Sequence, residues 1–220
     1  MKVFSLCTSF FDPHYKTPAF FKTKKVTRRA VLKSAAGASA VAALPTFAVT
    51  RATHNALTPL LKSDPWLTLD ATLNHLLPET AATEPNTKDI SAKQLNATAY
   101  LYQIMTVQPT QPEEKEFILK GVGWLNGYAQ SEKGKAFVEL NVGEKEQLLK
   151  GISQSRAGQN WLNTLLGYLF EAMLAPPGYG GNPEGVGWQW LEHQGGFPLP
   201  EQGQRYFELP PRATTQGQKK

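Results

Sequence analysis

The chain has 220 residues, 41% of them apolar by type, and a formal net charge of +5 that is unevenly placed. Residues 1–48 hold Lys2, Lys16, Lys22, Lys24, Lys25, Arg28, Arg29 and Lys33 against one acid, Asp12, while the rest of the chain holds 15 bases and 17 acids. The main body is therefore slightly acidic, with no Lys/Arg stripe to neutralise phosphates, which excludes nucleic acid as a partner. The one cysteine, Cys7, lies in the basic segment, so residues 49–220 contain no disulfide, thiolate metal ligand or thiol nucleophile.

Taken in chain order, the first element is a leader. Thr27-Arg28-Arg29-Ala30-Val31-Leu32-Lys33 sets two arginines ahead of an apolar pair and a lysine. An Ala/Gly/Ser/Val stretch from about Ser34 to Ala43 follows, and then Leu44-Pro45-Thr46-Phe47-Ala48. A charged start, a short apolar run and a small residue at the cut point make up an export signal. The apolar run is far shorter than the roughly 20 residues of a membrane-spanning helix. The pattern predicts a twin-arginine signal peptide over 1–48, with Arg28 and Arg29 read by the twin-arginine translocase and cleavage after Ala48. An aromatic patch of Phe10, Phe11, Phe20 and Phe21 precedes the arginines and makes the charged region long. That route carries folded proteins out of the cytoplasm, so the expected location is the periplasm, free or held at the membrane through a complex.

Residues 49–65 read as a linker, 66–200 as one all-α domain of about five to six helices, and 201–220 as a polar tail. Leu69, Leu73, Leu76 and Leu77 mark a helix that ends at Pro78. Residues 79–90 read as an exposed loop. Ser91 is placed to cap a helix through about Met105, with Leu95, Tyr102 and Met105 near one face. Pro112 suits a first helical turn, and Glu113, Glu114 and Glu116 lie near the positive end of the helix dipole. Phe117, Gly121, Trp124, Leu125 and Tyr128 then recur at helical spacing. Asn141 and Glu144 have the spacing of a capping box for a helix through Leu148, Leu149 and Ile152. About Gln159 to Leu174 is apolar over most of its circumference, which predicts a central, buried helix ended by Pro176 and Pro177.

Residues 176–200 are dense in Gly, Pro and Trp. Gly178 to Gly187 lacks the Gly-Lys-Ser/Thr end of a phosphate loop and no strand precedes it, so its glycines are read as turn residues. His54, His75 and His193 have no partner at metal-ligand spacing. There is no Cys-x-x-Cys-His for covalent haem and no Gly-x-Ser-x-Gly nucleophile elbow. Trp188 and Trp190 are candidates either to close the helical core or to anchor a partner.

Tyr179-Gly180-Gly181-Asn182, Gly185-Val186-Gly187-Trp188 and Gly195-Gly196-Phe197-Pro198 resemble the gluconate 2-dehydrogenase subunit 3 family, with its aromatic-Gly-Gly-Asn turn and Val-Gly-Trp a few residues on. A looser likeness runs upstream to residue 66. Ala175-Pro176-Pro177-Gly178 departs from the Asp-Pro that many relatives carry before the turn. The resemblance implies a small subunit with no catalytic, cofactor or metal site of its own. It would carry the export signal for a flavoprotein dehydrogenase of the glucose-methanol-choline type and support that subunit's folding. A multihaem cytochrome c would be the third member, so FAD and haem c are expected in the partner subunits. Tyr179, Gly180, Gly181, Asn182, Trp188 and Trp190 are the expected partner-interface or core-closing residues. A stand-alone periplasmic ligand-binding or maturation protein is the other reading of the same features.

Overall fold

A computed structural model describes residues 9–22, 57–79, 90–193, 203, 205 and 207–210; Arg28, Arg29 and Ala48 lie outside these. The described residues contain eight helices and no strand. The helices are α1 (Ala19–Lys22), α2 (57–60), α3 (Trp66–Leu76), α4 (Ala97–Thr106), α5 (Pro112–Lys133), α6 (Val142–Ser153), α7 (Arg156–Leu174) and α8 (Val186–Trp190). Short 3₁₀ turns cover Phe137–Glu139, Pro177–Tyr179 and Pro183–Gly185.

The all-α expectation holds, and so do most of the signals that start and stop the helices. Pro112 opens α5 and Gly134, at φ +67°, closes it. At α6 the Glu144 amide donates to Asn141 Oδ1 (2.9 Å) and the Asn141 amide donates to Glu144 Oε2 (3.0 Å). This reciprocal pair satisfies two amides that the first turn would otherwise leave bare. α7 starts three residues earlier than its apolar pattern suggests, because the Ser155 hydroxyl accepts from the Gly158 amide (3.0 Å) and caps it at Arg156.

The start of α4 is a correction. Ser91 and Gln94 do make the reciprocal contacts of a cap, at 2.9 and 3.2 Å, but on a turn over residues 92–96. The helix itself begins at Ala97, because Asn96 adopts a left-handed backbone at φ +51° and breaks the run. Ile90, assigned above to the end of an exposed loop, is buried.

α7 is the central element, packed against α3, α4, α5, α6 and α8. Trp161, Leu165 and Ala172 on its inner face are fully buried. It is not apolar all round in use, however: Phe170 and Leu174 are exposed. The core closes around Leu69, Leu101, Ile118, Leu125, Phe137 and Ile152, and two residues from outside 66–200, Phe10 and Leu57, enter it. Polar links tie α3 to α5: Asn126 Nδ2 donates to Asp64 Oδ2 (2.8 Å) and to Thr68 Oγ1 (3.0 Å), and its Oδ1 accepts from the Phe137 amide (3.0 Å). Among the described residues no helix is long and apolar enough to cross a membrane.

Candidate partner-docking site

The left-handed turn at Asn96 has a consequence elsewhere in the fold. In an unbroken helix the Leu95 carbonyl would accept from the amide four residues on. Here it accepts from the Asn182 amide (2.9 Å), so the Gly/Pro-rich segment is sewn onto the start of α4. Asn182 is fully buried and itself left-handed at φ +51°. Its Oδ1 accepts from the Gly187 amide at the start of α8 (2.6 Å), and its Nδ2 donates to the Ala175 carbonyl at the end of α7 (3.1 Å). One side chain and its backbone thus hold three separate pieces of chain. Gly181 and Gly187 permit the approach: a Cβ would lie 2.9 Å from the Ala172 carbonyl oxygen at the first and 2.4 Å from that of Met173 at the second. Gly180 turns the chain at φ +92° over the buried Gln103.

Of the six residues singled out in sequence, Gly180, Gly181 and Asn182 therefore lie inside, within the seal at the end of α7. Trp188 is half-buried, and its indole N–H donates to the Leu174 carbonyl (2.8 Å), one of the carbonyls that the end of α7 leaves free. Tyr179 is half-buried, with its ring edge-on to Phe207 at 5.9 Å. Trp190 is exposed, as is its neighbour Leu191. His193 is exposed beside the Trp188 ring, and His75 meets Glu146 (2.9 Å). His54 lies outside the described residues.

Two parts of this region carried no sequence signal. Arg205, in the segment read as a polar tail, is 3% exposed; its Nη1 donates to the Gly178 carbonyl (2.9 Å) and its Nη2 meets Glu208. The guanidinium also lies over the Phe207 ring, 5.1 Å from its centre, so this stretch lies on the domain. The second is the outer face of α7. Asn163, Gly167, Phe170 and Leu174 recur at three- and four-residue spacing and are all exposed, with Phe170 at 59% and Leu174 at 53%. Large apolar side chains on one helix face at such exposure are what a protein–protein contact covers.

Four polar groups link the far half of α7 to α4 and α5. The Tyr168 hydroxyl donates to Glu114 Oε1 (2.7 Å) and the Tyr100 hydroxyl to Glu171 Oε2 (3.3 Å). Burial first, and then the Glu114 charge, push Tyr168 far above the usual phenol range, so it stays a donor. Desolvation lifts the Glu171 carboxyl above the usual carboxylate range; the Tyr100 hydrogen bond opposes this and the Glu114 charge adds to it. Between the ordinary and the raised value, the folded state binds more protons than the unfolded one. Stability therefore falls as pH rises through that window and stays lower at neutral pH. Because Glu171 keeps part of its surface in solvent, which screens the effect, replacing it by Gln should raise the thermal midpoint only slightly at neutral pH and leave it nearly unchanged in mild acid. Thermal unfolding of both proteins across that range tests this; equal gains at both ends would refute it.

Among the described residues no group of three or more His, Cys, Asp or Glu side chains is gathered to hold a metal ion. What the region offers is an apolar face beside a rigid seal. The family model described as gluconate 2-dehydrogenase subunit 3 matches residues 63–196, more than half of the chain. No curated protein and no solved structure matches.

Proposed function

The chain belongs to the gluconate 2-dehydrogenase subunit 3 family, and from that membership we propose that it is the accessory small subunit of a periplasmic sugar or sugar-acid dehydrogenase. Its partner is a flavoprotein of the glucose-methanol-choline type that holds FAD, and a multihaem cytochrome c carries the electrons away. The small subunit takes the flavoprotein across the membrane through the twin-arginine translocase and supports its folding. The observation that carries this reading is the family match itself. The exposed Phe170, Leu174, Trp190 and Leu191 support it, as apolar residues suited to a lasting contact. An obligate interface of this kind covers about 2,000 Å² or more in total.

The test is replacement of Arg28 and Arg29 by lysines in cells that make all the subunits. Both the small subunit and the flavoprotein should disappear from the periplasmic fraction, and dehydrogenase activity there should fall to background. Flavoprotein reaching the periplasm at its usual level would refute co-export.

A further inference from the structure

Residues 9–22 precede the twin-arginine pair, yet they lie on the helical domain as if part of it. Phe10 is 1% exposed. Its ring sits edge-on to Trp124 at 5.2 Å and tilted against Trp161 at 5.5 Å. Phe11 meets Tyr128 at 4.9 Å. Tyr15 lies 6.4 Å from the Phe117 ring, and its hydroxyl accepts from Asn160 Nδ2 (3.3 Å). Phe20 and Phe21, on α1, both pack against Phe117 at 5.9 and 5.6 Å. The aromatic patch is therefore used in full.

The receiving surface is a groove between α5 and α7. Phe117, Trp124 and Tyr128 fall seven and four residues apart, on one face of α5. Trp161 comes from α7 and reaches the groove floor because Gly121 leaves room for its indole, whose N–H donates to the Ile118 carbonyl (3.1 Å). The segment is shaped to fit: the Asp12 carboxylate accepts from the His14 amide (2.9 Å) and the Tyr15 amide donates to the Asp12 carbonyl (3.1 Å), which folds the backbone into a compact turn. Both signs of charge meet where they touch: Asp12 and Lys16 of the segment share a cleft with Glu113, Glu116 and Lys120, the last two already paired at 2.8 Å.

We infer that the helical domain carries a recognition site for a short aromatic peptide, and that the ligand is the chain's own segment 9–22. Its floor is assembled from residues some forty positions apart in sequence, so the unfolded chain has no such site. The arginine pair begins six residues beyond Lys22, within about 20 Å of the docked end even when fully extended. If the export reading holds, the translocase meets the arginines on a leader tethered to a domain that has already folded. This last step rests on that reading; the docking does not.

The experiment uses the full chain with its leader intact and a site-specific protease sequence inserted between Lys22 and Leu57. After cutting, the amino-terminal fragment should co-elute with the domain on size exclusion and should leave it when Phe10 is replaced by Ala. In the uncut chain Phe10→Ala should lower the thermal midpoint by about 5–10 °C and shift the tryptophan emission, through Trp124 and Trp161. A fragment that separates at once from the cut chain overturns the proposal. So does a Phe10→Ala protein with unchanged midpoint and emission. Retained docking together with normal export of the lysine-for-arginine protein would sink the export reading alone.

Discussion

Asn182→Ala should destabilise the protein by about 3 kcal/mol, seen as a fall of roughly 6–12 °C in thermal midpoint. The substitution removes an acceptor for the Gly187 amide and a donor to the Ala175 carbonyl at a fully buried position. Each buried group left without a partner costs about 1–3 kcal/mol. The backbone adds to this, since φ is +51° at this position and asparagine tolerates the left-handed region better than alanine. Two further variants separate the contributions. Asn182→Gly relieves the backbone but not the lost bonds, so it should recover about 1 kcal/mol relative to Ala. Asn182→Asp keeps the acceptor for Gly187 but sets a second carboxylate oxygen against the Ala175 carbonyl and buries a charge, so it should be no milder than Ala. An alanine variant that melts with the wild type would mean that the region around α8 is not sealed as described.

Gly121→Ala should cost as much, about 3 kcal/mol. A Cβ at this position would lie 1.9 Å from Trp161 Nε1 and 2.2 Å from Cδ1, and the indole is fully buried. Moving it breaks the hydrogen bond to the Ile118 carbonyl and lifts the surface on which Phe10 rests. Gly123 and Gly127, on the same helix, are the internal controls. Nothing lies within 4 Å of a Cβ at either, so alanine there should stabilise by up to about 1 kcal/mol through helix propensity alone. Chemical denaturation of the three variants decides the matter. Equal effects at all three positions would show that α5 and α7 do not approach as closely as they do here.

How much of this was legible beforehand depends on the range of the interactions. The cap at Asn141 and Glu144 is local, and its residues suffice to find it. The Ser91–Gln94 pair is equally local, yet it caps only a turn, because the deciding event is the left-handed Asn96, and the Leu95 carbonyl left free there is taken by the distant Asn182 amide. Composition correctly marks α7 as central, but an apolar residue contributes the same to a pattern whether it faces the core or a partner. Phe170 and Leu174 therefore emerge only from the packing. The aromatic patch at 10–21 and the buried Arg205 are harder still. Each sits in a basic or polar stretch, and each is held by residues far away in sequence, Trp124 and Trp161 in one case and Gly178 in the other. Within the candidate site, Asn182 and the glycines beside it were legible as a motif. Which of the two roles they fill, core-closing or interface, was not, since turn residues look the same whether they support a surface or form it.

The link between Leu95 and Asn182 also bears on the order in which a ribosome delivers the chain. The carbonyl leaves the exit tunnel long before the amide that completes it, and α8, which Asn182 holds in place, comes later still. A nascent polypeptide halted before Asn182 thus leaves the Leu95 carbonyl without this partner, and one halted before α8 leaves the Asn182 side chain without the Gly187 amide. Synthesis of α8 becomes a checkpoint, because only a polypeptide translated past it can complete the contacts that Asn182 makes.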